Sequence, residues 1–347
     1  MINFIKGDLF CDHAEAFVNA VNCVGVMGRG IALQFKKRYP ENFKAYELKC
    51  KLNHMMPGRV FVYETNRFVN PKYIINFPTK RHWKEASRIE DIELGLVDMS
   101  RVIKEYGIKS IAIPPLGSGL GGLDWQLVKE KIKYILYDLE DIEINVYEPS
   151  GAPEAKEMVN NIKVPLMTPG RAALVELVQI YLKGLLDPFV TLLEVHKLMY
   201  FLQISGEPLR LHYEKQKYGP FAVNLSHVLN AIEGHMLIGY ADGGNAPNKR
   251  LELIPGASEE AEMFLSQQSA TMDRMRRVAE LVDGFETPYG LELLATVHWI
   301  VDHGAQSTNE VIEGTYSWHD QKKKFSQRQI VIAFNRLISL QWINPIE

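Results

Sequence analysis

Residues 16–38 read AFVNAVNCVGVMGRGIALQFKKR. The apolar run Ala16 to Val21 has the length and composition of a buried strand. Asn22 to Gly30 is a glycine-rich turn, and Ile31 to Arg38 takes helical spacing. Strand, glycine-rich loop and helix in that order form a unit of α/β architecture, in which backbone N–H groups at a helix N-terminus face the strand's carboxyl end and offer a seat for an anion. The same order recurs at Ser110 to Pro114, followed by Leu116-Gly117-Ser118-Gly119-Leu120-Gly121-Gly122-Leu123 and a helix with Asp124 at its N-cap. Two such cradles suit a diphosphate. The plainer alternative, that the glycines only make tight turns, weakens when two loops of this kind share a domain. The dinucleotide fingerprint G-x-G-x-x-G does not fit the first loop and no P-loop is present, so hydride transfer and NTP hydrolysis lose their usual support.

Outward from these loops the alternation continues. Further strand candidates are Ile2 to Ile5, Val60 to Tyr63, Tyr73 to Phe77 and Ile142 to Tyr147, with helical patterns at Glu41 to Leu52, Ser87 to Tyr106 and Asp124 to Tyr137. The second of these opens with Ser87-x-x-Glu90, a capping box. The pattern predicts an α/β layered domain over residues 1–150 with helices on both sheet faces, and ligands at the carboxyl ends of its strands. Residues 151–170, punctuated by proline and glycine, predict a linker. Beyond it, residues 171–347 predict a second, mainly α domain, with helices at Ala172 to Leu186, Val190 to Ser205, Phe221 to His235, Ser258 to Asp283, Leu291 to His303 and Gln327 to Leu340.

Composition narrows the function. The 347 residues are 46% hydrophobic and 23% charged with a formal net charge of −3, an ordinary globular mixture. With pI ≈ 6.4, stable non-specific DNA binding is not the main task, since that needs a strongly basic surface. The residues after Tyr147 are mildly acidic, so a basic partner would more readily meet that half. Three cysteines without CxxC spacing (Cys11, Cys23 and Cys50) argue against a disulfide framework or a structural zinc site. No apolar run reaches the roughly 18 residues of a membrane span, and the expected location is cytoplasmic. His13, His54 and His82 lie outside metal-ligand spacing, and neither metal nor cofactor is expected. Trp83 and Trp125 flank the two candidate site segments, open either to base stacking or to packing at the rim or in the core.

The ordered segments KGDLF, EAFVNAVNCVGVMGRGIA, IINFPTKRHW, IPPLGSGLGGLDW and NVYEP resemble the macrodomain family that recognises ADP-ribose, most closely the DarG antitoxins, over residues 1 to about 150. The resemblance implies a mixed sheet flanked by helices in three layers, α/β/α. It implies that Asp8 accepts from the adenine amino group with the Leu9 N–H assisting, where a turn or cap aspartate is the other reading. It places Asn22 beside the distal ribose, Gly28, Gly30, Ile31 and Ala32 along the distal ribose and phosphate, and Ser118, Gly119, Leu120, Gly121 and Gly122 around the diphosphate. Lys80 would be the catalytic residue, aimed into the cleft from a strand end rather than left on the surface with its basic neighbours. Two roles are open to it: a neutral amine attacking the anomeric carbon, or a cation stabilising the leaving group. Desolvation with Arg81 and Lys84 would lower its pKa, and a bound diphosphate would raise it. In eukaryotic relatives an aspartate assists from the second loop, and the matching position here is Gly121. Arg81 and Lys84 are candidates to hold flanking phosphates.

Lys197-Leu198-Met199-Tyr200-Phe201 and Tyr218-Gly219-Pro220 resemble more loosely an antitoxin domain known as Panacea, with a helix starting after the Gly-Pro as the plain reading. Together the two resemblances imply an antitoxin that hydrolyses the N-glycosidic bond between ADP-ribose and thymidine in single-stranded DNA and that binds the DarT toxin, which attaches the group, through its C-terminal domain. The competing expectations are an ADP-ribosyl-protein hydrolase acting on glutamate, and a reader that binds ADP-ribose without turnover.

Overall fold

The apolar strands quoted above pair into one six-stranded mixed sheet. In the computed structural model, which describes residues 1–149, 160, 163–183, 188–241 and 243–344, its strands are β1 (Ile2–Ile5), β2 (Ala16–Asn22), β3 (Phe61–Glu64), β4 (Tyr73–Lys80), β5 (Ser110–Ile113) and β6 (Glu143–Tyr147). Their order is β1-β6-β5-β2-β4-β3, parallel except for β3, which runs antiparallel to β4. Side chains alternate across β2 as a pleated strand requires. Ala16 and Val18 face a core shared with α3 (Ile89–Glu105) and α4 (Trp125–Ile135). Phe17 and Val21 face cores shared with α1 (Gly30–Arg38) and α2 (Pro40–Lys51). Helices on both faces give the three α/β/α layers that the resemblance implies.

Two local expectations change. β4 runs to Lys80 rather than ending at Phe77, even though it contains Pro78. Its antiparallel partner β3 pairs only as far as Asn76, so on that side the proline's missing N–H costs no ladder bond. The capping box at Ser87 does not form: α3 starts at Ile89 after Arg88, with no side-chain cap. Ser87 is instead buried, with its N–H given to the Gly121 carbonyl at 2.9 Å. Asp124 does cap α4, accepting from the Leu127 N–H at 3.0 Å.

The chain divides into two compact units, residues 1–163 and 164–347. Most of the expected linker lies outside the described residues, as does the end of the helix expected to reach Leu186. α5 (Pro169–Lys183) already begins within the last two linker positions, with proline at a helix start where its missing N–H does no harm. The second unit is mainly helical: α6 (Leu192–Ile204), α7 (Leu225–Ile232), α8 (Ala257–Leu265), α9 (Ser269–Val282), α10 (Pro288–Asp302), α11 (Thr308–Trp318) and α12 (Gln327–Ser339). The helix expected over Ser258 to Asp283 is two, broken at the polar Ser266-Gln267-Gln268. Two small sheets were not foreseen: β7 (Val190–Thr191) with β11 (Arg250–Leu253) and β10 (Leu237–Ile238), and the hairpin β8 (Tyr213–Gln216) with β9 (Gly219–Ala222). Among the described residues no helix is long and apolar enough to cross a membrane.

The hairpin corrects the reading of Tyr218-Gly219-Pro220 as a helix start. Gly219 has φ +96°, and a Cβ there would stand 3.1 Å from Thr296 Oγ1 and 3.3 Å from Lys197 Nζ. On α6, Lys197 donates to the Pro220 carbonyl at 2.6 Å and His196 Nδ1 accepts from the Ala222 N–H at 3.2 Å. The two motif segments are therefore one structural unit. Burial first, then the nearby Lys322 ammonium, brings the Lys197 amine down to about 7. An unfolded chain keeps that proton to about 10.4, so between those values the unfolded state binds more protons and stability rises with pH. Lys197→Met should flatten this rise, lowering the slope of unfolding free energy against pH by at most about 1.4 kcal/mol per pH unit. Urea titrations of the full chain from neutral to mildly alkaline pH test it; an unchanged slope would mean that the folded amine keeps its proton.

Candidate active site

β2 lies between β4 and β5 in parallel register, so the segments leaving the three carboxyl ends emerge side by side. Asn22 at the end of β2 pairs with Lys80 at the end of β4, across a one-residue irregularity after Val21. Lys80 is half-buried, and its Nζ donates to the Leu120 carbonyl of the second glycine-rich loop. A Cβ at Gly30 of the first loop would lie 3.2 Å from Leu120 Cδ1. Both loops thus converge on one amine. Its pKa is lowered by burial first and by the Arg29 cation of the first loop second. Arg81 and Lys84, expected in that role, do not fill it: Arg81 is held by Asp91 of α3 through two contacts of 3.0 Å. That pairing occupies Nε and Nη2 of the Arg81 guanidinium.

The first loop is shaped by Asn22. Its Oδ1 accepts from the N–H groups of Val24 at 3.0 Å and Val26 at 3.3 Å, and its Nδ2 donates to the Val26 carbonyl. The Tyr46 hydroxyl of α2 reaches the Asn22 carbonyl at 2.8 Å and Oδ1 at 3.1 Å. The amide expected against a sugar is therefore turned into its own loop. Gly28 lies in that loop, and Gly30, Ile31 and Ala32 form the first turn of α1, whose N-terminus has no side-chain cap. Its leading N–H groups have no helical acceptor.

The second loop holds Ser118, Gly119, Leu120, Gly121 and Gly122 in a tight turn, with the Gly122 N–H on the Gly119 carbonyl at 3.2 Å and the Leu123 N–H on that of Gly117 at 3.0 Å. A Cβ at Gly121 would stand 2.2 Å from both the Gly117 carbonyl oxygen and Ser87 Oγ. No aspartate fits there, and Asp124 is occupied as a cap. Ser87 Oγ is buried without a hydrogen-bond partner.

Asp8 and Leu9 lie apart from this centre, after β1. Asp8 Oδ1 accepts from the Phe10 N–H at 3.0 Å, and Oδ2 has only a weak contact with Cys11 Sγ at 4.0 Å. Leu9 and Phe10 pack with Phe35 of α1, and Ile31 lies against the same cluster, which couples this turn to the helix behind the first loop. Burial pushes the Cys23 thiol up to about 11, so it stays protonated and is no nucleophile. All three cysteines are free. Among the described residues no group of three His, Cys, Asp or Glu side chains could hold a metal. Trp83 is exposed, whereas Trp125 packs against the sheet core. Sequence reasoning missed Arg29, Ser87 and Tyr46. A signal existed only for Arg29, the lone cation between two loop glycines.

The Macro domain family model matches residues 18–132. A protein of Thermus aquaticus called DNA ADP-ribosyl glycohydrolase is 42% identical over 348 residues, spanning 100% of this chain and 96% of that one. A Thermosipho africanus protein called DNA ADP-ribosyl transferase-DNA ADP-ribosyl glycohydrolase fusion protein is 33% identical over 163 residues, 43% of this chain and 42% of its own. The solved macrodomain of Mycobacterium tuberculosis DarG covers 43% of this chain and 99% of its own, at 51% identity and a TM-score of 0.43. With 42% identity to the Thermus protein across nearly the whole of both chains, and with the glycine-rich loops and the amine between them, the chain belongs to the DarG family of DNA ADP-ribosyl glycohydrolases and is a macrodomain glycohydrolase.

Proposed function

We propose that this chain removes ADP-ribose from thymidine in single-stranded DNA by hydrolysing the N-glycosidic bond, and that residues 171–347 bind the DarT toxin that attaches it. The observation that carries the hydrolytic part is the Lys80 amine, half-buried between two glycine-rich loops and depressed in pKa. In this reading Asp8 takes the adenine amino group on its spare oxygen, with the Leu9 N–H beside it. The open α1 N-terminus at Gly30, Ile31 and Ala32, with Gly28 and the loop from Ser118 to Gly122, receives the diphosphate and distal ribose. Asn22 holds the loop that lines the ribose.

A neutral amine is a nucleophile, and burial and Arg29 both favour the neutral form. The Nζ lone pair attacks the anomeric carbon, the glycosidic electron pair leaves on the thymine nitrogen, and that nitrogen takes up a proton. Opening of the sugar ring with loss of the Nζ proton gives an imine. Water then adds and restores the amine, releasing ADP-ribose. Lys80→Ala should reduce turnover by roughly two to three orders of magnitude while ADP-ribose binding, followed by calorimetry, stays within a few fold. Borohydride added during turnover should attach the sugar to Lys80. A lysine that turns over and is never labelled acts only as a cation.

Arg29 supplies a second test. Removing its charge relieves the like-charge repulsion on the Lys80 ammonium, so the lysine pKa rises and the neutral fraction at a given pH falls. Arg29→Gln should move the acid limb of the kcat profile to higher pH. A limb that stays in place, or moves down, would remove Arg29 from the electrostatics of the amine.

Toxin binding is supported by the bundled unit formed by Lys197, His196 and the Tyr218-Gly219-Pro220 hairpin, and by the Thermosipho relative, whose name couples the transferase to the glycohydrolase in one chain. Full-length Lys80→Ala should still capture the toxin and blunt its effect in cells. Gly219→Val, which crowds Thr296 and Lys197, should release the toxin and keep hydrolysis. The reverse pattern in a pull-down paired with a hydrolysis assay would assign toxin capture to the macrodomain.

A further inference from the structure

The six residues between Lys80 and Ser87, RHWKEA, are anchored at both ends to the second glycine-rich loop. On one side Lys80 Nζ reaches the Leu120 carbonyl, and on the other the Ser87 N–H reaches the Gly121 carbonyl at 2.9 Å. The segment therefore stands at the rim of the cleft. It is folded on itself: the Glu85 N–H returns to the His82 carbonyl at 3.1 Å and the Lys84 N–H to His82 Nδ1 at 3.3 Å. Trp83 stands in this turn with its side chain 50% exposed. The His82 ring lies 5.5 Å away at 34°, and the Lys84 ammonium stands 4.9 Å from the indole centroid. Apolar exposure continues on the two loops, where Leu120 is 59% and Val24 45% exposed.

A half-exposed indole on a hydrogen-bonded turn keeps apolar surface in water, with the Lys84 ammonium over its ring and the His82 ring beside it. That pairing is what a base and its phosphate need when they are free of a duplex. We propose that the turn from Arg81 to Ala86 is the platform for the nucleotide adjoining the modified thymidine, with a base stacked on Trp83 and a phosphate held by Lys84. The proposal rests on the DNA substrate named above. Arg81 is neutralised by Asp91, and the exposed Glu85 offsets a further charge, so the grip is one stacked base and one phosphate rather than a basic track. This agrees with a chain whose overall charge is −3.

Two substrates separate the possibilities: thymidine monophosphate carrying ADP-ribose, and a short single-stranded oligonucleotide with the same modification at its centre. With the full chain, Trp83→Ala should lower kcat/KM on the oligonucleotide about tenfold relative to the mononucleotide, and Trp83→Phe should restore most of that ratio. Lys84→Gln should flatten the log–log salt dependence of the oligonucleotide KM by about 0.7. An equal loss on both substrates would make Trp83 a support of the rim, and an unchanged ratio would take it off the DNA path; either overturns the platform while leaving the proposed reaction standing. Wild-type protein that releases ADP-ribose from neither substrate would overturn the reaction and the platform together.

Discussion

The parallel pairing of β2 with β4 on one side and β5 on the other governs the N-terminal unit. Each central strand is buried on both faces, and a fully buried Phe, Val or Ile contributes about 1.5–3 kcal/mol relative to exposure, so Phe17, Val18, Ile75 and Ile111 lock the strands in one register. A one-residue slip would exchange the faces of a strand and carry Lys80 away from the loops. With the register fixed, Asn22 and Lys80 end opposite one another, and the loop after β5 closes over the amine. Three segments distant in sequence thereby become one site without any direct bond between Lys80 and Asn22 being needed.

The electrostatics of that site oppose one another by design of the fold. A cleft that cradles a diphosphate would hold a lysine in its charged form. Burial first and the Arg29 cation second act in the other direction, lowering the pKa of the amine. Arg81 is withdrawn from this balance by its pair with the buried Asp91. The loops are kept in shape by groups outside the cleft: Tyr46 holds Asn22 from α2, and Ser87 fills the space that any side chain at position 121 would need.

In the second unit polar groups inside a largely apolar core join elements that packing alone would leave free to slide. His196 is driven down to about 3 by burial and so stays neutral, which lets Nδ1 accept from the Ala222 N–H. Its ring stacks on Phe221 at 4.1 Å. Lys322, with a fully buried side chain, is satisfied by Glu292 at 2.8 Å and Thr296 at 3.0 Å. Buried polar groups of this kind add little net stability but penalise other arrangements of the same helices: His196 ties the hairpin to α6, and Lys322 ties residues 320–324 to α10.

Much of this was written locally. Alternating apolar runs and glycine punctuation identified the six strands of the first unit and its four helices within a few residues, because strand burial and helix periodicity are properties of short segments. Both glycine-rich loops were legible for the same reason, each following a recognisable strand, whereas Lys80 was singled out only through the macrodomain resemblance. What only the tertiary structure decided depends on groups far apart in sequence. The Ser87 capping pattern lost to a bond with Gly121, and the helix expected from Phe221 starts only at Leu225 because Lys197 and His196 claim the backbone before it for a hairpin. The cation beside Lys80 is Arg29 and not Arg81, because Asp91 lies within reach of one and the strand register brings the other. A local pattern states which conformations a segment favours, and burial beside a particular partner determines which of them is kept.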